Sequence, residues 1–137
     1  MKVEDILRYD RVVKDIIDNA KLDSVLKFKF LQMAKQFEPV IENVNKVRDE
    51  VLNKYSSTNE NGQSGIFQPD REKFESDEAF NDAVKEFQEK ITKFNEELQP
   101  VFEEEVKIEL KKFKASDVMN SGIPAESLLV IYDLIEE

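Results

Sequence analysis

The stretch LKFKFLQMAKQFEPVIENVNKVRDEV, residues 26–51, carries apolar residues at alternating steps of four and three along its whole length. Such spacing is a heptad pattern, which places the apolar side chains on one stripe of an α-helix. We call this stripe the first seam, and it consists of Leu26, Phe30, Met33, Phe37, Val40, Val44, Val47 and Val51. It predicts a long helix over residues 23–54, for which Asp23 and Ser24 are candidate N-caps.

Pro39 lies inside this predicted helix, where a proline removes one backbone hydrogen bond. The heptad spacing nevertheless continues from Phe37 to Val40 without a shift. Because a loop between two separate helices would not preserve that spacing, we predict one continuous helix with a kink at Pro39.

A second seam predicts another long helix over residues 76–100, with Ser76 and Asp77 as candidate caps and Pro100 at its end or at a kink. This seam consists of Phe80, Val84, Phe87, Ile91, Phe94, Leu98 and Val101. The polar segment between the helices, residues 55–75, is predicted to be a tip loop. Two helices of similar length joined in this way predict an antiparallel hairpin with Val51 near Phe80.

The hairpin prediction includes the burial of Phe37, Val44, Phe87 and Phe94, so that Phe87→Ala would cost roughly 3 to 5 kcal/mol. Two helices alone bury too little to offset the entropy of ordering them, and a third layer is therefore expected. The predicted helix over residues 3–20 has a broad apolar face and can supply that layer. The first seam is widened for such contacts by Leu31, Ala34, Ile41 and Leu52.

The last third of the chain is less regular. Residues 104–113 fit a strand through Val106, Ile108 and Leu110, although Phe102, Val106, Leu110 and Phe113 also have helical spacing. We favour the strand, paired either with Ile66 and Phe67 or with the extreme N-terminus. Pro124 begins a predicted, mostly core-facing helix over 124–135. The predicted fold is a single domain over 1–137, mainly α, a coiled-coil-like hairpin with flanking helices and a small β element.

Composition limits the chemistry that this chain can perform. It has no cysteine and no histidine, which removes thiol nucleophiles, the commonest general base and the commonest metal ligand. The net charge of −10 disfavours direct binding to nucleic acid or to an anionic membrane. The beginning, MKVEDILRYD, lacks the apolar run of a secretory signal, so a cytoplasmic location is expected.

Residue clusters give no catalytic, cofactor-binding or metal site. The tip loop aligns with a calcium-binding loop only if Ser57 and Gln68 replace the two essential carboxylates, so an ordinary loop is predicted. The acidic runs are interpreted as solvated faces. The lysines at 107, 111, 112 and 114 fit a charged edge strand better than a nucleic-acid groove. No cofactor is therefore expected.

Several short segments together resemble a known group of proteins. They are Asn53-Lys54-Tyr55, Asn59-Glu60-Asn61-Gly62, the approach from Phe74 to Phe80, Glu105-Val106-Lys107-Ile108, and Ile123-Pro124-Ala125-Glu126 before Leu128 and Leu129. In these segments the chain resembles the small, uncharacterised helical-hairpin proteins of tailed phages, particularly phages of Gram-positive bacteria. The resemblance implies a phage origin and a non-enzymatic role, and it supplies no catalytic residues.

The expected function is protein–protein interaction by a phage protein. Its partner would be a virion component or a host factor, in the cytoplasm of the infected bacterium or in the virion, and a homo-oligomer is possible. The alternative is an acidic DNA mimic that inhibits a nucleic-acid-binding host defence enzyme. A hydrolase or nuclease that uses only carboxylates and a divalent metal is the weakest of the three hypotheses.

Overall fold

In a computed structural model, which describes residues 1–136, the chain is mainly α-helical with two small strand pairs, which confirms the predicted fold class. The helices are α1 (Val3–Asn19), α2 (Ser24–Tyr55), α3 (Asp77–Glu103), α4 (Ala115–Met119) and α5 (Ala125–Val130). The strands are β1 (Ser57–Thr58), β2 (Ser64–Gly65), β3 (Phe113–Lys114) and β4 (Ile135–Glu136), and short 3-10 helices cover Arg71–Lys73 and Tyr132–Leu134.

The contacts within the chain divide it into two compact units. Unit 1 comprises Met1–Asn43 and the chain from Glu103 onward, and unit 2 comprises Val44–Phe102. Unit 1 is therefore discontinuous in sequence, because its two segments are separated by the whole of unit 2.

Both long helices begin where their sequence signals place them. The Leu26 amide donates to Asp23 Oδ1 at 2.8 Å, and the Ala79 amide donates to Ser76 Oγ at 3.2 Å. Each contact satisfies a backbone donor that the first helical turn leaves unpaired. Pro39 lies inside the single helix α2, as predicted, and α3 continues through Pro100 to Glu103 rather than ending there.

Unit 1 has a dense apolar core. The expected third layer is present, because α1 buries one face together with the first half of α2 and the C-terminal elements. The rings of Phe30 and Phe113 stack with their centroids 4.5 Å apart. The core consists of Ile6, Tyr9, Val13, Ile16, Leu26, Phe30, Met33, Phe37, Phe113, Val118, Ile123, Ile131 and Leu134.

The segment after α3 is extended and lies beside the N-terminus, which is one of the two partners considered for it. The Val3 amide donates to the Glu104 carbonyl at 3.0 Å, and the Val106 amide donates to the Met1 carbonyl at 2.8 Å. From Val106 to Leu110 half-buried and exposed residues alternate, which matches an extended chain and not a helix. Regular pairing is shorter than the predicted strand over 104–113, since it is limited to an isolated bridge and to β3.

The prediction of one C-terminal helix over residues 124–135 was wrong. α5 ends at Val130, a 3-10 turn follows, and Ile135 then pairs in parallel with Phe113 in the β3–β4 ladder. Ile131 and Leu134 are both buried in the core, and a helix would also place residues three apart on one face. The pairing of Ile135 with Phe113 is what a continued helix would prevent, because a strand residue needs an extended backbone.

In unit 2 the two long helices meet in a different register from the predicted one. The Lys54 ammonium contacts the Glu97 carboxylate at 3.0 Å, and the Tyr55 hydroxyl donates to the same carboxylate. The end of α2 is thus beside the last third of α3, and the predicted placement of Val51 near Phe80 was wrong. A connection as long as residues 56–76 does not fix the register in the way that a short turn would.

The first half of α3 instead contacts the tip loop. A cleft of about 120 Å³ is lined by Ile66, Phe67 and Pro69 from the loop and by Ala83 and Phe87 from α3, among others. Burial in unit 2 is accordingly limited. Val44, Val51 and Leu98 are buried, but Phe87 and Phe94 are only half-buried, which corrects the prediction that both are buried.

Candidate interaction surfaces

The polar run in the tip loop forms a small hairpin. Its centre is Asn59, whose side-chain oxygen accepts the amides of Asn61 at 3.0 Å and Gln63 at 2.9 Å. Gly62 has a φ of +76°, a conformation that favours glycine. The hydrogen-bonding capacity of the Asn59 side chain is thus used to stabilise the turn. Among residues 1–136, no group of three or more histidine, cysteine or acidic residues could hold a metal ion.

A large apolar concavity lies at the C-terminal end of unit 1. This C-terminal groove has a volume of about 650 Å³. Its most exposed apolar side chains are Met119, Leu129 and Tyr132, at 66%, 74% and 69% exposure. It is lined by Ala115, Met119, Ala125, Leu128, Leu129, Tyr132, Asp133, Ile135 and Glu136.

The local sequence explains why these side chains point outward. Val118, Ile123, Ile131 and Leu134 are buried and attach the C-terminal elements to the core. Met119 and Tyr132 directly follow two of these buried residues, so they project away from the core. Between α4 and α5 the chain turns at Gly122, whose φ is +76°. The two short helices are therefore fixed on the core and leave an apolar surface uncovered.

The charged residues that line the C-terminal groove, Asp133 and Glu136, are both acidic. Residues 115–136 contain no lysine or arginine, and the nearest cation in the sequence is Lys114, the strand partner of Glu136. Asp133 and Glu136 line the groove, and neither has an ion-pair partner within residues 1–136. The groove thus combines apolar walls with unneutralised carboxylates.

A second apolar surface lies on α2, on the side of the helix away from the core. It consists of Val25, Phe28 and Leu31, which are 67%, 59% and 46% exposed, and we call it the α2 strip. Spacings of three residues place these side chains on one face over two turns. Leu31 was expected to lie under another segment of the chain, but the structure leaves it at the surface.

The charge around the α2 strip is opposite to that of the groove. Between Asp23 and Glu38 the chain has Lys27, Lys29 and Lys35 and no acidic residue. These three side chains form no ion pair within the described part of the chain. A neighbouring cleft of about 330 Å³ is lined by Lys29 and Lys35 together with Lys111 of the extended segment. The strip is therefore an apolar face with basic flanks.

Sequence interpretation missed both surfaces. The signal for the C-terminal groove was present, since Leu128, Leu129, Ile131, Tyr132 and Ile135 are too many apolar residues for one buried face of so short a segment. The signal for the α2 strip was the pair Val25 and Phe28, which fall outside the heptad positions. Apolar residues that the periodicity does not assign to the core are the ones left at the surface.

Comparisons with protein-family models, with curated proteins and with solved structures find no match to this chain. None of the helices within residues 1–136 is both long enough and apolar enough to cross a membrane.

Proposed function

We propose that this protein acts by protein–protein interaction, without chemistry of its own, and that the C-terminal groove is its binding surface. The main support for this proposal is the exposure of Met119, Leu129 and Tyr132 around one concavity. Contiguous exposed apolar surface on a folded protein is costly in water and is typical of a binding site. The sequence offers no residue set that favours an enzymatic alternative.

The groove favours a particular class of ligand, an amphipathic helix with basic flanks. Its walls would accept an apolar helix face, as in other helix-in-groove interactions. Asp133 and Glu136 would attract lysine or arginine beside that face, which increases the rate of association and selects the orientation. A virion component or host factor as partner, and with it the phage origin, stays a prediction from the resemblance.

The test is binding of a synthetic amphipathic helical peptide of leucine and lysine, measured by fluorescence anisotropy. We expect saturable binding to the wild-type protein and at least a tenfold loss of affinity in Leu129→Glu, which places a charge in the groove. The control is Phe67→Glu, which introduces the same charge at an exposed apolar side chain of unit 2, outside both the C-terminal groove and the α2 strip. Equal affinities for the two variants would contradict the proposal.

The acidic DNA mimic is the second hypothesis, and it rests on the net charge of −10 alone. Salt separates the two, because interactions between exposed charges are screened as ionic strength rises whereas apolar contacts are not. A partner that dissociates steeply between low and high salt, and that binds Leu129→Glu as well as wild type, would favour the mimic.

A further inference from the structure

We propose that the occupant of the C-terminal groove is the α2 strip of a second copy of this chain, so that copies associate head to tail. This inference rests on the proposed function, since it names the partner of the same groove. It joins the two largest exposed apolar features of unit 1, neither of which has a partner within a single described chain.

The opposite charges beside the two surfaces favour this pairing. In a chain with a net charge of −10, two copies repel each other unless the contact brings together regions of opposite sign. Residues 24–37 carry only basic charge and residues 115–136 carry only acidic charge. Placing the α2 strip in the C-terminal groove would bring Lys27, Lys29 and Lys35 close to Asp133 and Glu136.

The shape of the α2 strip also favours this pairing. Val25, Phe28 and Leu31 form a short row on a helix that is fixed by its own buried face, so little conformational entropy is lost when the row is bound. The rise along the helix from Val25 to Leu31 is about 9 Å, which is a length that a groove of this size can accommodate. The strip has the spacing of anchors three residues apart that helix-binding grooves recognise.

The geometry also specifies the kind of assembly. The two surfaces share no residue, so a copy whose groove is filled still has a free strip, and its partner still has a free groove. Contacts between unlike surfaces generate rings or open chains of copies, unless two copies exchange both contacts and close as a two-fold dimer. Association is therefore expected to reach at least the dimer as concentration increases, and to continue beyond it where one copy cannot fill both surfaces of its partner.

The test uses two variants, each with one surface blocked, and sedimentation velocity as the measurement. Leu129→Glu blocks the groove and Phe28→Glu blocks the strip, and both positions are exposed enough to leave the fold intact, which the circular dichroism spectrum and melting temperature check. Wild type should form dimers or larger species at high concentration. Each variant alone should remain monomeric.

An equimolar mixture of the two variants gives the decisive result. The intact strip of Leu129→Glu can bind the intact groove of Phe28→Glu, so the mixture should form a 1:1 dimer that does not grow further. A mixture that remains monomeric would overturn the inference, as would a wild-type protein that stays monomeric throughout.

The two experiments together separate self-association from the binding of another protein to the groove. If wild type stays monomeric but still binds the leucine and lysine peptide through Leu129, the groove is a docking surface and its partner is another protein. If neither self-association nor peptide binding responds to Leu129→Glu, both proposals are rejected. Phe28→Leu serves as the conservative control and should retain self-association within about twofold of wild type.

Discussion

The two units of this protein use the same heptad pattern and bury it to different depths. In unit 1, Phe30 and Phe37 are fully buried at 0% exposure. In unit 2, Phe87 and Phe94 belong to the second seam and are only half-buried. A seam therefore specifies which face of a helix is apolar, but the number of elements that cover this face decides how much it stabilises the fold.

The covering elements differ in number and in apolar content. In unit 1 the first half of α2 packs with α1, with Phe113 and with the C-terminal elements. In unit 2 the buried apolar residues are Val44, Val51 and Leu98. The tip loop contributes only a few apolar contacts near Phe87. We therefore expect unit 1 to be the more stable of the two.

Deletion of residues 1–20 should have the largest effect. It removes the buried face of α1, including Ile6, Val13 and Ile16, and exposes the core that they cover. We expect loss of cooperative melting, an aggregating or oligomeric product, and increased binding of a hydrophobic dye. A truncated chain that melts like wild type would mean that the C-terminal elements alone supply the core.

The phenylalanines of the two seams provide a direct comparison. Phe37→Ala should lower the free energy of unfolding by about 3 to 5 kcal/mol, because it opens a cavity in a closed core. Phe87→Ala should cost less, about 1 to 2 kcal/mol, because part of the side chain is already exposed to solvent. Urea denaturation followed by circular dichroism measures both, and equal losses would contradict the difference between the units.

The contact between Tyr55 and Glu97 makes a smaller contribution that depends on pH. The hydrogen bond from Tyr55, and then that from Lys54, lowers the pKa of Glu97 below its ordinary value of 4.5. The same hydrogen bond raises the pKa of Tyr55 above 10.0. A lowered carboxyl pKa stabilises the fold above pH 4.5, and this stability is lost as the pH falls through the folded-state value. The raised tyrosine pKa stabilises the fold below pH 10.0, and this stability is lost as the pH rises through the folded-state value.

Comparison of wild type with Tyr55→Phe tests this dependence. The melting temperature of the variant should be slightly lower at neutral pH, and the difference should disappear as the pH falls below 4.5. The control is Tyr132→Phe, an exposed tyrosine in the C-terminal groove, for which no such pattern is expected. A difference that does not change with pH would mean that Tyr55 acts through packing alone.

Shortening the tip should have the smallest effect. Replacing residues 57–64 with a four-residue turn of glycine and serine leaves the buried Gly65 in place and removes no apolar side chain. Halving a flexible connection changes the closure entropy by only about 0.6 kcal/mol. The melting temperature should stay within a few degrees of wild type, and unfolding of this variant would reveal a structural role for the Asn59 turn.

Local sequence signals predicted local structure well. The caps at Asp23 and Ser76 and the passage of α2 through Pro39 follow from interactions within a few residues. The register of Lys54 with Glu97 and the pairing of Phe113 with Ile135 depend on contacts between distant segments, which periodicity does not encode. The C-terminal groove was missed for the same reason, because which of its apolar residues stay exposed depends on what the rest of the chain covers.

Hydrogen exchange along α2 tests the difference between the units most directly, because this one helix runs from Ser24 in unit 1 to Tyr55 in unit 2. The measurement is made on Leu129→Glu, so that self-association does not protect the α2 strip. Amides around Phe30 and Phe37 should exchange at least tenfold more slowly than those around Val47 and Val51, since they open only with the denser core. Equal protection along the whole helix would contradict the account.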